Sequence, residues 1–270
     1  MAGRSRLRRV FCWRLPVKSI TSKDNPTFRE LLDLAANRPH RRRRGQTLLD
    51  GEHLLDAALQ AGCRPQLIAL SETALAGPLA SWSDRLANVP CVVLGEGLFK
   101  RLSPVETPTG LLAVIEVPAA SARKHDCALL LEDIRDPGNL GAILRVAAAA
   151  ACRQVYLSKG CAEAWSPKCL RGGQGAHFLL SIQEEADLPG VVRDLDIPVH
   201  AAALVATSSL YELDLRGRMA FAFGNEGAGL TPQLLAAARP FSIPMPGGME
   251  SLNVATAAAV CLFERVRQLG

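Results

Sequence analysis

The sequence lacks the long apolar segments of a membrane protein. No apolar run approaches the roughly eighteen residues that a membrane-spanning helix needs, and the longest candidate, Val254 to Phe263, is shorter. Met1 to Trp13 is rich in arginine but has no apolar secretory core and no small-residue cleavage site. We therefore expect a cytoplasmic protein that does not enter a membrane. A mitochondrial presequence is the alternative, although Asp24 and Glu30 soon interrupt the basic segment.

Metal-binding patterns are also missing. The eight cysteines contain no C-x-x-C pair, and the five histidines are scattered without zinc spacing. Because the sequence has no secretion signal, free buried thiols explain the cysteines better than disulfides do. We expect no metal ion.

Positive charge is abundant only near the N-terminus. Residues 1–44 contain thirteen lysines and arginines against three acids, a net charge of +10, and the other 226 residues contain eighteen bases and twenty-three acids, a net charge of −5. A block of like charge usually stays solvated, and it often binds nucleic acid or anionic lipid. The hydrophobic content of 49% is high enough to form a core, which excludes a globally disordered chain.

Helix and strand patterns divide the chain into two α/β domains. Residues 118–124 form a small-residue and basic stretch between two apolar strands, so we predict a tail at 1–16, an N-terminal domain at 17–117, a linker at 118–124 and a C-terminal domain at 125–270. Near-continuous apolar strands alternate with helices in the C-terminal domain, which is typical of a parallel sheet covered on both faces. Predicted strands are 47–50, 66–70, 91–94, 111–117, 128–131, 154–157, 199–204 and 219–223, and predicted helices begin at 26, 52, 140, 231 and 251.

The first unusual segment, Glu132 to Gly141, follows a predicted strand. Its Asp-Pro-Gly-Asn sequence is typical of a turn, in which Asn139 would cap the next helix. Arg145 follows at helical spacing, between apolar residues and an alanine run. An isolated charge in such a helix requires a partner or an anionic ligand. The alternative is an ordinary connection in which Arg145 is only solvated.

Two further segments follow the next strands. Gly224 to Leu230 has the spacing G-x-x-G-x-G with Glu226 inside it, and an acid is poorly suited to bind an anionic pyrophosphate. This disfavours a nucleotide-dependent dehydrogenase and favours a ligand with positive charge or hydrogen-bond donors. Ile243 to Val254 contains prolines, glycines and two methionines, which suit an apolar ligand, and its Ser251 and Asn253 are alternatively ordinary helix caps.

The sequence resembles the SpoU (TrmH-like) branch of the SPOUT RNA methyltransferases. The three family motifs occur in order, at Asp136–Gly141 with Arg145, at Gly224–Gly229, and at Ile243–Met245 followed by Glu250–Val254. The N-terminal cues are Ser22–Pro26, Leu49–Glu52 and Thr107–Gly110, which are similar to the substrate-binding domain of many members. Two segments depart from the family pattern: at the end of the first motif helix Cys152 replaces a common glycine and alanines replace the polar residues before it, and Leu-Asp-Gly at 49–51 replaces Val-Glu-Gly.

The resemblance implies an α/β fold with a trefoil-knotted parallel-sheet methyltransferase domain and a small N-terminal α/β (L30e-like) RNA-binding domain. It implies methyl transfer from S-adenosylmethionine to a ribose 2′-hydroxyl of structured RNA, and a homodimer formed through the C-terminal domain. Gly224, Ile243, Met245 and Leu252 would line the cofactor. The catalytic set would be Arg145, Asn139, Glu226, Ser251 and Asn253.

Arginine holds its proton and is therefore a poor base. We expect Arg145 to bind the RNA phosphate or to polarise the hydroxyl, with Glu226 orienting its guanidinium, and a base role stays open. Arg41, Arg42, Arg43 and Arg44 are predicted to lie in a loop and to contact RNA phosphates.

By analogy with members that carry the extra domain, ribosomal RNA is favoured over transfer RNA as the substrate. The remaining alternative is a non-catalytic RNA-binding factor for ribosome assembly, against which the intact motifs argue.

Overall fold

The chain forms two compact units, which meet in the sequence between Pro118 and Ala119. The computed structural model describes residues 17–75, 82, 85–103, 108–121 and 126–270. The predicted basic tail, Thr107 and residues 122–124 of the predicted linker lie outside the described residues. The predicted domain limits therefore stay a prediction.

The first unit is built on a mixed five-stranded sheet with the order β1-β4-β3-β5-β2. β1 and β3 pair with β4 in parallel, and β5 runs antiparallel to both β2 and β3. The elements are β1 (Lys18–Ile20), α1 (Pro26–Ala36), α2 (Arg38–Arg44), β2 (Gln46–Asp50), α3 (Glu52–Gln60), β3 (Leu67–Ser71), α4 (Glu72–Leu75), β4 (Cys91–Leu94), α5 (Glu96–Leu102) and β5 (Leu111–Glu116). Phe28, Leu31 and Leu34 of α1 are buried against this sheet, at the helical spacing that predicted the helix.

The arginine run lies in helix α2 and not in the loop that we predicted. The helix is capped at its start by the Asn37 side chain, which accepts a hydrogen bond from the His40 amide, and at its end by Gly45 in the left-handed region at φ 60°. Arg41 points inward and is only 6% exposed. Its guanidinium donates to the carbonyls of Leu34 and Ala35, at 2.8 and 3.2 Å, and so satisfies the last turn of α1.

The second unit is built on a six-stranded parallel sheet with the order β11-β9-β10-β6-β7-β8. This confirms the predicted parallel α/β class. The strands are β6 (Cys127–Leu131), β7 (Gln154–Leu157), β8 (Ser181–Gln183), β9 (Val199–Ala202), β10 (Met219–Phe223) and β11 (Arg239–Phe241). The helices are α6 (Pro137–Ala149), α7 (Pro167–Gly173), α8 (Leu188–Leu195), α9 (Pro232–Ala237) and α10 (Val254–Leu269), with 3-10 turns at Ala176–Leu179 and Leu210–Glu212.

The central strands of this sheet are almost completely buried. Every residue of β6 and β10 is buried, which explains why their continuous apolar runs located both strands in the sequence. Helices α6 and α7 cross where Gly141 faces Gly172 and Gly173, so closely that a Cβ on Gly141 would lie 2.5 Å from the Cys169 carbonyl oxygen. Helix α6 is thereby fixed on the sheet, with its N-terminal end at the carboxyl end of β6.

None of the helices in the described residues is long and apolar enough to cross a membrane. The described residues also contain no group of three or more histidine, cysteine, aspartate or glutamate side chains arranged to hold a metal ion.

Candidate active site

A cavity of about 320 Å³ lies in the second unit, at the carboxyl ends of β9 and β10. This is the edge of a parallel sheet where ligands bind, and the volume lies within the range of small-molecule sites. Three segments supply its walls: the end of β9, the loop after β10, and the segment between β11 and α10. The lining residues are Ala202–Leu204, Phe223–Leu230, Leu235, Ile243, Met245, Ser251, Leu252, Val254 and Ala257.

The four predicted cofactor residues, Gly224, Ile243, Met245 and Leu252, all line this cavity. Gly224 follows β10 directly and is packed against the other end of its own loop. A Cβ at this position would lie 2.3 Å from the carbonyl carbon of Gly229, so only glycine lets the two ends of the loop approach each other. The contribution of these four residues to cofactor binding stays a prediction.

The lining suits an adenosine-containing sulfonium ligand. Apolar side chains and glycine backbone form most of the wall, and Glu226 is the single ionisable residue among those that line it. Aliphatic surface can cover a nucleoside, while one carboxylate at the rim complements a positive charge. These residues fit S-adenosylmethionine, in contrast to the basic or amide-rich loop that a pyrophosphate needs.

Asp136, and not Asn139, caps helix α6. The Asp136 carboxylate accepts hydrogen bonds from the backbone N–H groups of Gly138 and Asn139, at 2.7 and 2.9 Å. The bond from Asn139, helped by that from Gly138 and by Lys168, lowers the pKa of Asp136. The alternative in which Asn139 is an ordinary cap is therefore wrong, and the Asn139 side chain is left for other contacts.

Asn139 joins two segments that are distant in the sequence. Its side-chain amide donates to the Glu226 carboxylate, and its side-chain oxygen accepts a 3.0 Å hydrogen bond from the Asn253 amide. Asn253 also caps α10, because its oxygen accepts from the Ala255 and Thr256 amides. The three motifs thus meet in one polar chain, Glu226–Asn139–Asn253, beside the cavity.

Arg145 lies two turns further along α6 and is exposed. Within the described part of the chain, it has no hydrogen-bond or ion-pair partner. The prediction that Glu226 orients Arg145 is wrong for this structure, since Glu226 accepts from Asn139 instead. An exposed guanidinium without an internal partner is free to bind an anion of the substrate.

Ser251 lines the cavity and is exposed, whereas the helix that it was expected to open starts at Val254 with Asn253 as its cap. The sequence reasoning missed Ala202, Ala203 and Leu204, which follow β9, and Leu235 and Ala257 on two helices. The rule that ligands bind after parallel strands could have identified the first three. The two helix positions carry only an apolar side chain, which gives no signal of a site.

The parallel α/β sheet, the apolar cavity at its carboxyl edge and the polar chain that joins the three motifs fit the S-adenosylmethionine-dependent RNA 2′-O-ribose methyltransferases that the sequence resembles. The chain belongs to the SpoU rRNA methylase family, which matches residues 126–263. Residues 25–113 match the MRM3-like substrate-binding domain.

Three known proteins illustrate the likeness. The 23S rRNA (guanosine(2553)-2′-O)-methyltransferase RlmP of Bacillus subtilis is 33% identical, over 92% of this chain and 98% of its own. A solved RNA 2′-O ribose methyltransferase superimposes with a TM-score of 0.79 at 31% identity, covering 93% of this chain and 98% of its own. The SpoU methyltransferase AviRb of Streptomyces viridochromogenes, solved in complex with S-adenosylmethionine, has a TM-score of 0.78 at 25% identity, covering 90% and 98% of the two chains.

Proposed function

We propose that this enzyme methylates a ribose 2′-hydroxyl of ribosomal RNA. The observation that carries the proposal is the Glu226–Asn139–Asn253 chain, in which Glu226 lines the apolar cavity and Asn139 stands on the same helix as the exposed Arg145. The Bacillus subtilis relative acts on 23S rRNA and spans nearly the same length, which supports ribosomal over transfer RNA.

Gly224, Ile243, Met245 and Leu252 would hold the cofactor in the cavity. When bound, S-adenosylmethionine supplies a methyl group on a positively charged sulfur, ready for in-line displacement by an oxygen nucleophile. The apolar walls exclude water from this centre, and a semi-apolar site favours a step in which charge is lost. Ser251, at the cavity wall, would donate a hydrogen bond toward a ribose oxygen.

Arg145 is assigned to the substrate. Its guanidinium donates five hydrogen bonds and keeps its proton, so it holds a phosphate or polarises the attacking hydroxyl. Asn139, bonded to both Glu226 and Asn253, would hold the first turn of α6 in place beside the loop that lines the cavity. Alignment of this kind accounts for a large part of the rate of a bimolecular transfer.

Helix α2 of the first unit is assigned to RNA binding. Arg42, Arg43 and Arg44 are exposed, while Arg41 is buried and serves α1. Arg43 donates to His40 Nδ1 at 3.0 Å, and Arg44 pairs with Glu30 at 3.0 Å, which holds both guanidinium groups at the surface. Such cations contact phosphates without reading bases.

The active form is proposed to be a cytoplasmic homodimer with a trefoil knot in each second unit, as the family resemblance implies. Helix α10 exposes a row of apolar residues, with Phe263 50% and Leu269 52% exposed and Val266 between them. Large apolar residues spaced three apart on one helix face suit a two-fold interface.

Transfer of labelled methyl groups tests this function. The protein is incubated with labelled S-adenosylmethionine and total RNA from cells that lack the gene, and the modified nucleotide is mapped by its 2′-O-methyl group. We expect one position in ribosomal RNA to be labelled. Label in transfer RNA would correct the substrate, and no label in any RNA would refute the activity of this chain.

A further inference from the structure

Asn225 sits between two loops of the second unit and bonds to both. Its side-chain oxygen accepts from the backbone amides of Gly227 and Ala228, at 2.9 and 3.1 Å, within its own loop. Its side-chain nitrogen donates at 3.0 Å to the carbonyl of Asp133, a residue 92 positions earlier, in the loop after β6. The first pair of bonds shapes a turn, whereas the third bond ties that turn to another strand end.

Asp133 is held in an unusual conformation at this contact. Its φ of 55° lies in the left-handed region, which is uncommon outside glycine. Ser158, directly after β7, accepts from the Asp133 amide at 3.0 Å and donates to its carboxylate at 3.2 Å. Backbone strain of this kind persists only where the surroundings determine it, and here it accompanies a carbonyl that accepts from the Asn225 amide.

We propose that Asn225 is a positioning residue of the methyl transfer, which acts through the Asp133 carbonyl to hold the Gly224–Glu226 loop against the loop after β6. The ends of the neighbouring strands β7, β6 and β10 are then joined as Ser158–Asp133–Asn225, and Glu226, the residue after Asn225, begins the chain Glu226–Asn139–Asn253. The proposal rests on the roles proposed above for Glu226 and Asn139. Glu226 is the next residue after Asn225, so a shift of this turn moves its carboxylate away from the Asn139 amide.

The variant Asn225→Asp isolates the contact between the loops. It keeps an oxygen for Gly227 and Ala228 but replaces the donor by a second oxygen, which faces the Asp133 carbonyl. We expect kcat to fall about 10- to 100-fold, as for supporting residues of other sites, with KM for RNA unchanged. The deficit relative to the native enzyme should shrink as the pH is lowered from about 8 toward about 4, since a protonated carboxyl regains a donor. The charged neighbours Asp133, Arg135 and Glu226 are the same in both proteins.

A second variant changes the position of Asp133 through its side chain. A Cβ at Gly160 would lie 1.9 Å from Asp133 Oδ1, so Gly160→Ala displaces the carboxylate from Ser158 without changing a residue that lines the cavity. We expect kcat to fall here too, and the double variant to be no slower than the slower single variant. Gln183→Glu, the same amide-to-acid change at an exposed position of β8, is the matched control and should keep the native rate.

Native kcat in Asn225→Asp would overturn the proposal. A deficit in Asn225→Asp that does not change with pH, combined with native kcat in Gly160→Ala, would also overturn it. These results are distinguishable from failure of the proposed function, because that failure would appear in the native protein as an absence of methyl transfer.

Discussion

Asp136 and Asn139 divide two tasks that either residue type can perform. Aspartate and asparagine are both strong helix caps, and the structure gives the cap to Asp136. Asn139 is then the third residue of helix α6, where its side-chain amide can form hydrogen bonds with other segments. An asparagine is needed at this second position because it must donate to Glu226 and accept from Asn253 at once.

Replacing Asn139 by aspartate should therefore impair catalysis while leaving the fold intact. Two carboxylates would face each other where an amide now donates to Glu226, and like charges repel at such a distance. We expect kcat to fall by roughly 100-fold, the scale of losing one preorganised donor. Steady-state kinetics measure this loss, and isothermal titration checks that cofactor binding persists. Addition of Glu226→Gln, which restores a donor, should recover part of kcat, and no recovery would contradict the pairing.

Buried His177 makes the stability of the second unit depend on pH. It is 1% exposed, its Nε2 lies 2.8 Å from the Ala164 carbonyl, and burial lowers its pKa to about 4. The unfolded chain takes up this proton first as the pH falls, so stability is full above about pH 6.5 and decreases toward pH 4. The decrease is about 1.4 kcal/mol per pH unit for one proton.

Denaturant unfolding of His177→Gln at several pH values tests this dependence. The variant should lose the slope of one proton between pH 6.5 and 4, whatever its absolute stability. His200 is also partly buried with a lowered pKa, so some slope remains. An unchanged slope in the variant would show that His177 does not titrate with unfolding.

At the scale of elements, the cap of α6 connects stability to the site. Asp136→Ala removes two hydrogen bonds to the first turn, and we expect the free energy of unfolding to fall by about 1 kcal/mol. Because Asn139 stands in that turn, kcat should fall as well. Asp136→Asn keeps an accepting oxygen and should retain both properties near neutral pH. Thermal unfolding and initial rates measure the two effects, and an Asp136→Ala protein that is destabilised but fully active would contradict the link.

The hydrogen bonds that stabilise the Asp136 carboxylate also give α6 an acid-sensitive start. The folded pKa lies below the ordinary value of 3.8, so the stabilisation is present above that pH and is lost as the pH falls through the lower folded value.

Elements with a strong sequence pattern were predicted well, and short or charged ones were not. β4, β7 and β10 were predicted to the residue. β4 and β10 are continuous apolar runs between polar or turn residues, and β7 is apolar after its first residue, Gln154. β1, β8 and β11 have three residues each, too few to show a period. α2 was missed because four adjacent arginines are typical of a solvated loop, and nothing local shows that Arg41 turns inward to α1.

In the candidate site, too, the sequence predicted some features and not others. Motif order identified every residue of the Glu226–Asn139–Asn253 chain, but their pairing depends on how three strand ends meet. The attraction between a carboxylate and a guanidinium suggested that Glu226 pairs with Arg145, and the fold instead gives Glu226 the amide of Asn139. The positioning contact between Asn225 and Asp133 spans 92 residues and could not be read from either loop alone.

For the whole molecule, the exposed apolar face of α10 predicts an assembly. Phe263→Glu puts a charge on this face, where Phe263 is 50% exposed. If the proposed dimer forms there, the variant should become monomeric without loss of thermal stability of the single chain. Light scattering after gel filtration measures the mass. The exposed Gln183→Glu adds the same charge elsewhere and should leave the mass of the native protein unchanged. A native protein that is already monomeric would contradict the dimer.

The uneven distribution of charge is also a property of the whole molecule, and helix α2 shows which arginines of the basic segment are available to RNA. The net charge of +10 on residues 1–44 is not one uniform patch, because Arg41 donates to the carbonyls of Leu34 and Ala35.

Changing Arg42, Arg43 and Arg44 to glutamine should weaken RNA binding, and it should lower the slope of log affinity against log salt by about 1 for each lost phosphate contact. Arg41→Met should instead leave that slope unchanged and lower the melting temperature. The buried Leu34 carbonyl loses its donor at a cost of about 1 to 3 kcal/mol, and the part-buried Ala35 carbonyl loses its donor as well. Filter binding at several salt concentrations, with thermal unfolding of both variants, separates the two roles. If Arg41→Met reduced the salt slope as much as one exposed arginine does, Arg41 would have to reach RNA, and its assignment to α1 would be wrong.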